Sequence, residues 1–256
     1  MKTAEFIRVL DREGRSLAAA AAEAGPGAKV PTCPEWQVRD LLRHTGAVHR
    51  WATSFVAEGH PSFRPFDEPP DLDGDPLLNW FREGHARLVD TLSTASPDLR
   101  CWQFLPAPSP LAFWARRQAH ETAVHRVDAE SARGRTPEEI AREFTVDFAA
   151  DGIDELLRGF HARDRSGVRT EKPRVLRVRA TDTADAVWTV RLSTEPPVTE
   201  REAEGNPQAD AEGVVDCEVS GPATLLYLAL WNRLPLPAVT GDASLARLWR
   251  ETSAVN

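Results

Sequence analysis

Apolar residues recur at helical spacing through the first 160 or so residues of the chain. Phe6, Ile7, Leu10, Leu17 and Ala21 mark a first helix from Thr3 to about Ala24, which Gly25-Pro26 stops. A second is expected from about Gln37 to Glu58, with Val38, Leu41, Leu42, Val48, Trp51 and Phe55 as its apolar stripe. A third begins near Asp75-Pro76, a capping residue followed by proline at the first helical position, and carries Leu77, Trp80, Phe81, His85, Leu88 and Leu92. A fourth begins at Ser109-Pro110 by the same signal and runs to about Arg133. A fifth segment opens at Thr136-Pro137-Glu138-Glu139 and is expected to reach Phe160. The Pro-rich connections PSFRPFDEPPDLDGD and QFLPAPSP are too long for tight turns and read as surface loops or the mouth of a site.

Beyond His161 the period changes. HARDRSGVRTEKPR is polar and contains Gly and Pro, which predicts a linker. VLRVRATD, AVWTVRLS, PVTEREAEG and GVVDCEVSG then alternate apolar with polar residues, as strands with one wet face do. PATLLYLALWNRL and ASLARLWRETS return to helix. The expectation is an α-helical N-terminal domain over residues 1–165 and a smaller α+β domain over 166–256.

Charge and cysteine narrow the function classes. The net charge is −8, with 31 Lys and Arg against 39 Asp and Glu and no basic block, which disfavours nucleic acid and anionic membrane as partners. Cys33, Cys101 and Cys217 are few and far apart, which suits a reducing compartment better than a disulfide framework. The N-terminus lacks a signal-peptide core, and the longest apolar run is far shorter than the ~20 residues of a membrane span, so the cytoplasm is the expected location.

The candidate chemistry lies in FWARRQAHETAVHRVDAE on the fourth helix. His120-Glu121 resembles the start of a zinc motif, but the next histidine, His125, is five residues on, about 140° round the helix. Glu121 and His125 are four apart, one turn above each other on one face, where a carboxylate and an imidazole can share a cation. His44, on the stripe of helix two, is the candidate third ligand, since a histidine among apolar residues needs a hydrogen bond or a metal. His49 lies about 140° from it and is expected at a loop or the site edge. Spacing alone also fits an ordinary i,i+4 surface pair and a hydrogen-bonded core histidine.

VPTCPEWQVRDLLRHTGAVHRWA, RRQAHETAVHRVDAE and the ending GPATLLYLALWNRLPLPAVTGDASLARLW together resemble the mycothiol-dependent maleylpyruvate isomerase family, within the DinB-like group of four-helix metal proteins. The resemblance covers nearly the whole chain. It implies a DinB-like four-helix bundle with a smaller α+β C-terminal domain. It also implies a metal triad at His44, Glu121 and His125, zinc or another divalent ion as the metal, and mycothiol as thiol cosubstrate. An active-site arginine of the family's second domain corresponds to Arg233 in LWNRLP, next to Asn232, where glycine is common in the family.

The implied enzyme is an isomerase or thiol S-transferase acting on a small electrophile. Two other readings compete with it: a metal- or ligand-binding protein without turnover, and a metal-dependent hydrolase. Dependence on a low-molecular-weight thiol separates the three.

Overall fold

The computed structural model describes residues 1–184, 186–202 and 215–255. They form two compact units, Met1–Pro137 and Glu138–Asn256.

The first unit is built from α1 (Thr3–Ala24), α2 (Val38–Glu58), α3 (Gly74–Thr94) and α4 (Pro110–Ala132). Contacts run α1–α4, α4–α2, α2–α3 and α3–α1, so the four helices close a ring in that order. Caps set their ends. Ser109 accepts a hydrogen bond from the Ala112 amide, with Pro110 in the first turn. Asp73, two residues before the expected cap, accepts from the Gly74 amide and starts α3 there. Gly59 ends α2 in the left-handed conformation (φ 65°).

The core contains the stripes expected from the sequence, with Leu10, Leu17, Leu41, Phe55, Leu77, Phe81 and Leu88 all fully buried, and Trp114 of α4 is fully buried as well. Each such side chain contributes roughly 2–3 kcal/mol through burial. At Gly46, α2 meets α3 so closely that an added Cβ would stand 2.2 Å from the Trp80 ring. Helix α4 differs from its neighbours in being buried on almost every face. Its Arg126 pairs at 2.6 Å with Glu13 of α1, and both are almost fully buried.

In the second unit the expected 136–160 helix is divided. After the short α5 (Pro137–Ala141), Thr145 caps a new helix, α6 (Val146–Asp154), by accepting from the Phe148 amide; a π-helical turn, Glu155–Phe160, follows. The strands are β1 (Arg174–Ala180), β2 (Val187–Leu192), β3 (Val198–Arg201), β4 (Cys217–Gly221) and β5 (Ala238–Gly241). Helices α7 (Ala223–Leu230) and α8 (Ala243–Thr252) complete the unit. The sheet order is β3-β2-β1-β4-β5, with β1 and β4 parallel and the other pairs antiparallel.

Leu176, Val178, Val190 and Val219 are buried from the sheet, and α7 packs on both β1 and β4. The alternation expected of the strands is present. The ends of two expected runs, at 203–205 and 213–214, lie outside the described residues. β5 was not expected: it has four residues, all exposed, and no alternation to read. Asn232 takes φ 60°, the left-handed region that asparagine tolerates better than most residues. The position keeps that backbone without a glycine.

The expected boundary at 165 and the division at 137 differ because α6 packs on α7, with Phe144 and Phe148 set edge-on against Tyr227 at 5.8 and 5.9 Å.

Candidate metal centre

α2 and α4 run antiparallel past each other: His44 meets Glu121 at one level, and Trp51 meets Trp114 two turns away. This arrangement brings His44, Glu121 and His125 together. His44 Nε2 lies 3.3 Å and His125 Nε2 3.2 Å from the same oxygen, Glu121 Oε1. The donor atoms of the three side chains all fall within 4.8 Å of one another, and among the described residues no other group of three His, Cys, Asp or Glu converges this way.

The spacing suits a single ion. Two donors about 2.1 Å from one tetrahedral centre stand about 3.4 Å apart. Two imidazole nitrogens and one carboxylate oxygen also match the chemistry of a catalytic zinc site. Side-chain exposure is 39% for His44, 21% for Glu121 and 10% for His125, so the group opens to solvent on the His44 side.

Neighbouring residues hold the three in place. Arg117, one turn before Glu121 on α4 and nearly fully buried, donates to Glu121 Oε2 at 3.3 Å, leaving Oε1 to face the histidines. Burial pushes the Glu121 carboxyl pKa up. Hydrogen bonds from His125 and His44 and the charges of His125 and Arg117 outweigh it and hold the carboxyl well below the usual range. Burial pushes His125 down, but hydrogen bonds to Asp128 and Glu121 outweigh it and raise the imidazole to about 9. Trp36, from the turn before α2, lies with its ring 5.0 Å from that of His44 and stacks on that of His125 at 5.8 Å.

The remaining candidates lie elsewhere. His120 is fully buried, edge-on to Phe6 of α1 at 5.8 Å. His49 faces the interior and not a loop: it is fully buried, its Nε2 is 2.9 Å from Thr122 Oγ1, and its ring lies beside Phe81 and His85. Burial, then the charge of His85, pushes its pKa well down, so it stays neutral. Arg233 belongs to the second unit, where its Nη1 donates to the Trp231 carbonyl at 2.9 Å.

Asp128 and Arg117 did not stand out in the sequence, whereas Trp36 belongs to the Pro-x-Trp that precedes helix two in the family resemblance. The i,i+3 spacing of Asp128 from His125 and the i,i+4 spacing of Arg117 from Glu121 were the available signals.

Residues 7–130 match the family model described as the mycothiol maleylpyruvate isomerase N-terminal domain, and residues 147–248 match the MDMPI C-terminal domain. Among solved structures, the chain is similar to the crystal structure of the mycothiol-dependent maleylpyruvate isomerase, with TM-score 0.55 at 15% identity. It is also similar to a histidine-to-alanine mutant of that enzyme, with TM-score 0.56 at 14% identity. Each similarity covers 89% of this chain and 88% of the other, and at such identity it shows the shared fold. No curated protein matches the chain in sequence. With both domain models matched in order along a helical bundle and an α+β unit, the chain belongs to the mycothiol maleylpyruvate isomerase family.

Proposed function

We propose that the chain is a cytoplasmic enzyme that uses zinc, or another divalent ion, and mycothiol to isomerise or S-conjugate a small electrophile. One observation carries the reading: three protein donors from two helices converge around Glu121 Oε1 in a chain of a mycothiol-dependent family. His44, Glu121 and His125 would hold the ion. Structural zinc sites close with four protein ligands, whereas three leave a position for an exogenous group. A divalent cation there lowers the pKa of a thiol, whose ordinary value near ~8.5 leaves little thiolate at neutral pH.

The chain's own residues do the rest. Arg117 holds the second oxygen of Glu121, and Trp36 covers one side of both imidazoles. Arg233 is assigned to the anionic part of the substrate, since a guanidinium forks onto carboxylates better than other side chains do. Thiolate addition to an activated double bond gives an enolate; rotation about the resulting single bond and expulsion of the thiolate complete an isomerisation, whereas protonation of the enolate carbon with the C–S bond retained completes a transfer. No described helix is long and apolar enough to cross a membrane.

The test is a zinc titration of metal-free protein, followed by assay of maleylpyruvate and other small enones with and without mycothiol. The expected result is one zinc per chain and turnover only when both zinc and thiol are present. Turnover without thiol would favour a hydrolase. Zinc uptake with no turnover of any electrophile would favour a binding protein.

A further inference from the structure

Asp128 is fully buried, and its two oxygens join three donors. Oδ2 accepts from His125 Nδ1 at 2.8 Å and from Cys33 Sγ at 3.6 Å; Oδ1 accepts from Thr32 Oγ1 at 2.6 Å. Thr32 and Cys33 lie some 95 residues away in sequence, in the turn that leads into α2. That turn is closed on itself. The Cys33 amide donates to the Val30 carbonyl, the Trp36 amide to the Cys33 carbonyl, the Val30 amide to the Trp36 carbonyl, and Lys29 bridges Gln37. The same turn supplies Trp36, whose ring stacks on His125.

An imidazole nitrogen that faces a carboxylate carries a proton, and in the metal-free protein both His125 nitrogens face one. A cation at the centre would take the place of the Nε2 proton, while Nδ1 keeps its proton on the buried Asp128, so Nε2 is the nitrogen left to ligate. A residue that fixes the tautomer and swing of a ligating histidine raises its value as a ligand, and its loss typically costs about 10- to 100-fold in metal affinity.

We propose that Asp128 is a positioning residue of the centre. It orients His125 toward the metal and is itself locked by Thr32 and Cys33, so that the 29–37 turn acts as a clamp on the site. The proposal rests on the metal-binding reading above and adds a residue and a loop to it.

The experiment compares wild type, Asp128→Asn and Thr32→Val by competition with a chromogenic chelator for zinc, and by nitrogen-15 NMR of the histidine rings in the zinc-loaded proteins. Asparagine keeps the size but only one acceptor oxygen, so it cannot serve both His125 and Thr32. Expected are one zinc per wild-type chain, a loss of about 10- to 100-fold in affinity for Asp128→Asn, and a smaller loss for Thr32→Val. The His125 Nδ1–H signal should be present in wild type and weakened or exchange-broadened in Asp128→Asn. A folded Asp128→Asn with zinc affinity and His125 signal equal to wild type overturns the proposal while leaving the metal site standing. A wild-type protein that takes up no zinc overturns both. If Asp128→Asn does not fold, Thr32→Val decides: unchanged affinity together with unchanged solvent exchange of the His125 Nδ1 proton rejects the clamp.

Discussion

Glu121 is the residue on which the centre turns, because both histidines approach one of its oxygens and Arg117 takes the other. Losing one of three protein ligands should cost on the order of 100-fold in zinc affinity. His44→Ala, Glu121→Ala and His125→Ala should each weaken zinc by about that factor. His120→Ala should leave it near wild type, since its ring lies against Phe6. Zinc loss in His120→Ala alongside retention in Glu121→Ala would sink the assignment. Protons should compete with the metal. His125 is raised to about 9 by Asp128 and Glu121, so at pH 7 it is protonated in the metal-free protein. Metal needs the neutral ring, so uptake at pH 7 expels that proton, and apparent affinity climbs with pH until about 9. Calorimetric titration at pH 7 in buffers of different ionisation heat should reveal about one proton per zinc from this group; no buffer dependence would refute it. At this scale the sequence was legible where spacing dictates geometry, as in the one-turn separation of Glu121 and His125. It was silent on Asp128, whose Thr32 and Cys33 partners come from a distant turn.

Among the elements, α1, α2 and α3 were readable because each shows one apolar stripe; Gly25 marked the end of α1, whereas α3 is capped by Asp73 and not by the expected Asp75. α4 defeats a stripe-based reading: it is buried nearly all round, and its charged residues are satisfied inside by partners such as Glu13. Its place in the bundle had to come from Ser109-Pro110 and the family motif. Close approach of elements is equally invisible in a periodicity. Gly46→Ala would push a methyl into the Trp80 ring, and overpacking of this kind costs about 1–3 kcal/mol. Urea unfolding should register that loss, and an unchanged midpoint would mean that Trp80 yields freely. The π-helical turn carries a second consequence. His161 follows it, nearly fully buried, with Nδ1 2.9 Å from Ser166 Oγ and its ring 4.7 Å from that of Trp249. Burial lowers its pKa from 6.5 to about 4. The unfolded chain takes up a proton as pH falls through 6.5, and the folded unit refuses it until about 4. Stability from this group is therefore complete above 6.5, falls as pH drops across that window, and levels off below it. Between pH 7.5 and 5 the loss should be about 2 kcal/mol in wild type and absent from the pH profile of His161→Gln. Parallel profiles for the two proteins would reject the assignment.

At the scale of the whole molecule, sequence and structure agree on a helical bundle followed by an α+β unit but divide the chain at different places. The sequence boundary followed the change of period near 161–174, where helical spacing gives way to alternation. Packing follows a different logic: a helix belongs with whatever covers its apolar face. α6 is covered by α7, and Phe148, Ile153, Leu156 and Leu157 are buried in the second unit. No local signal in the sequence reports which partner a helix will choose. The two boundaries make different predictions for fragments. Residues 1–137 contain α1 to α4, the three proposed ligands, the 29–37 turn and Asp128, and leave out α6. Such a fragment should be helical by circular dichroism, monodisperse, and able to bind zinc with an affinity within a few-fold of the full chain. Residues 1–165 add α6 and the π-helical turn without the α7 that covers α6. Exposing those four apolar side chains forfeits roughly 6–12 kcal/mol of burial and creates a patch prone to association. That longer fragment should bind a hydrophobic dye and aggregate, while its bundle still takes up zinc. If instead the 1–165 fragment is well behaved and 1–137 precipitates, α6 belongs with the bundle and the boundary lies where the periodicity changes.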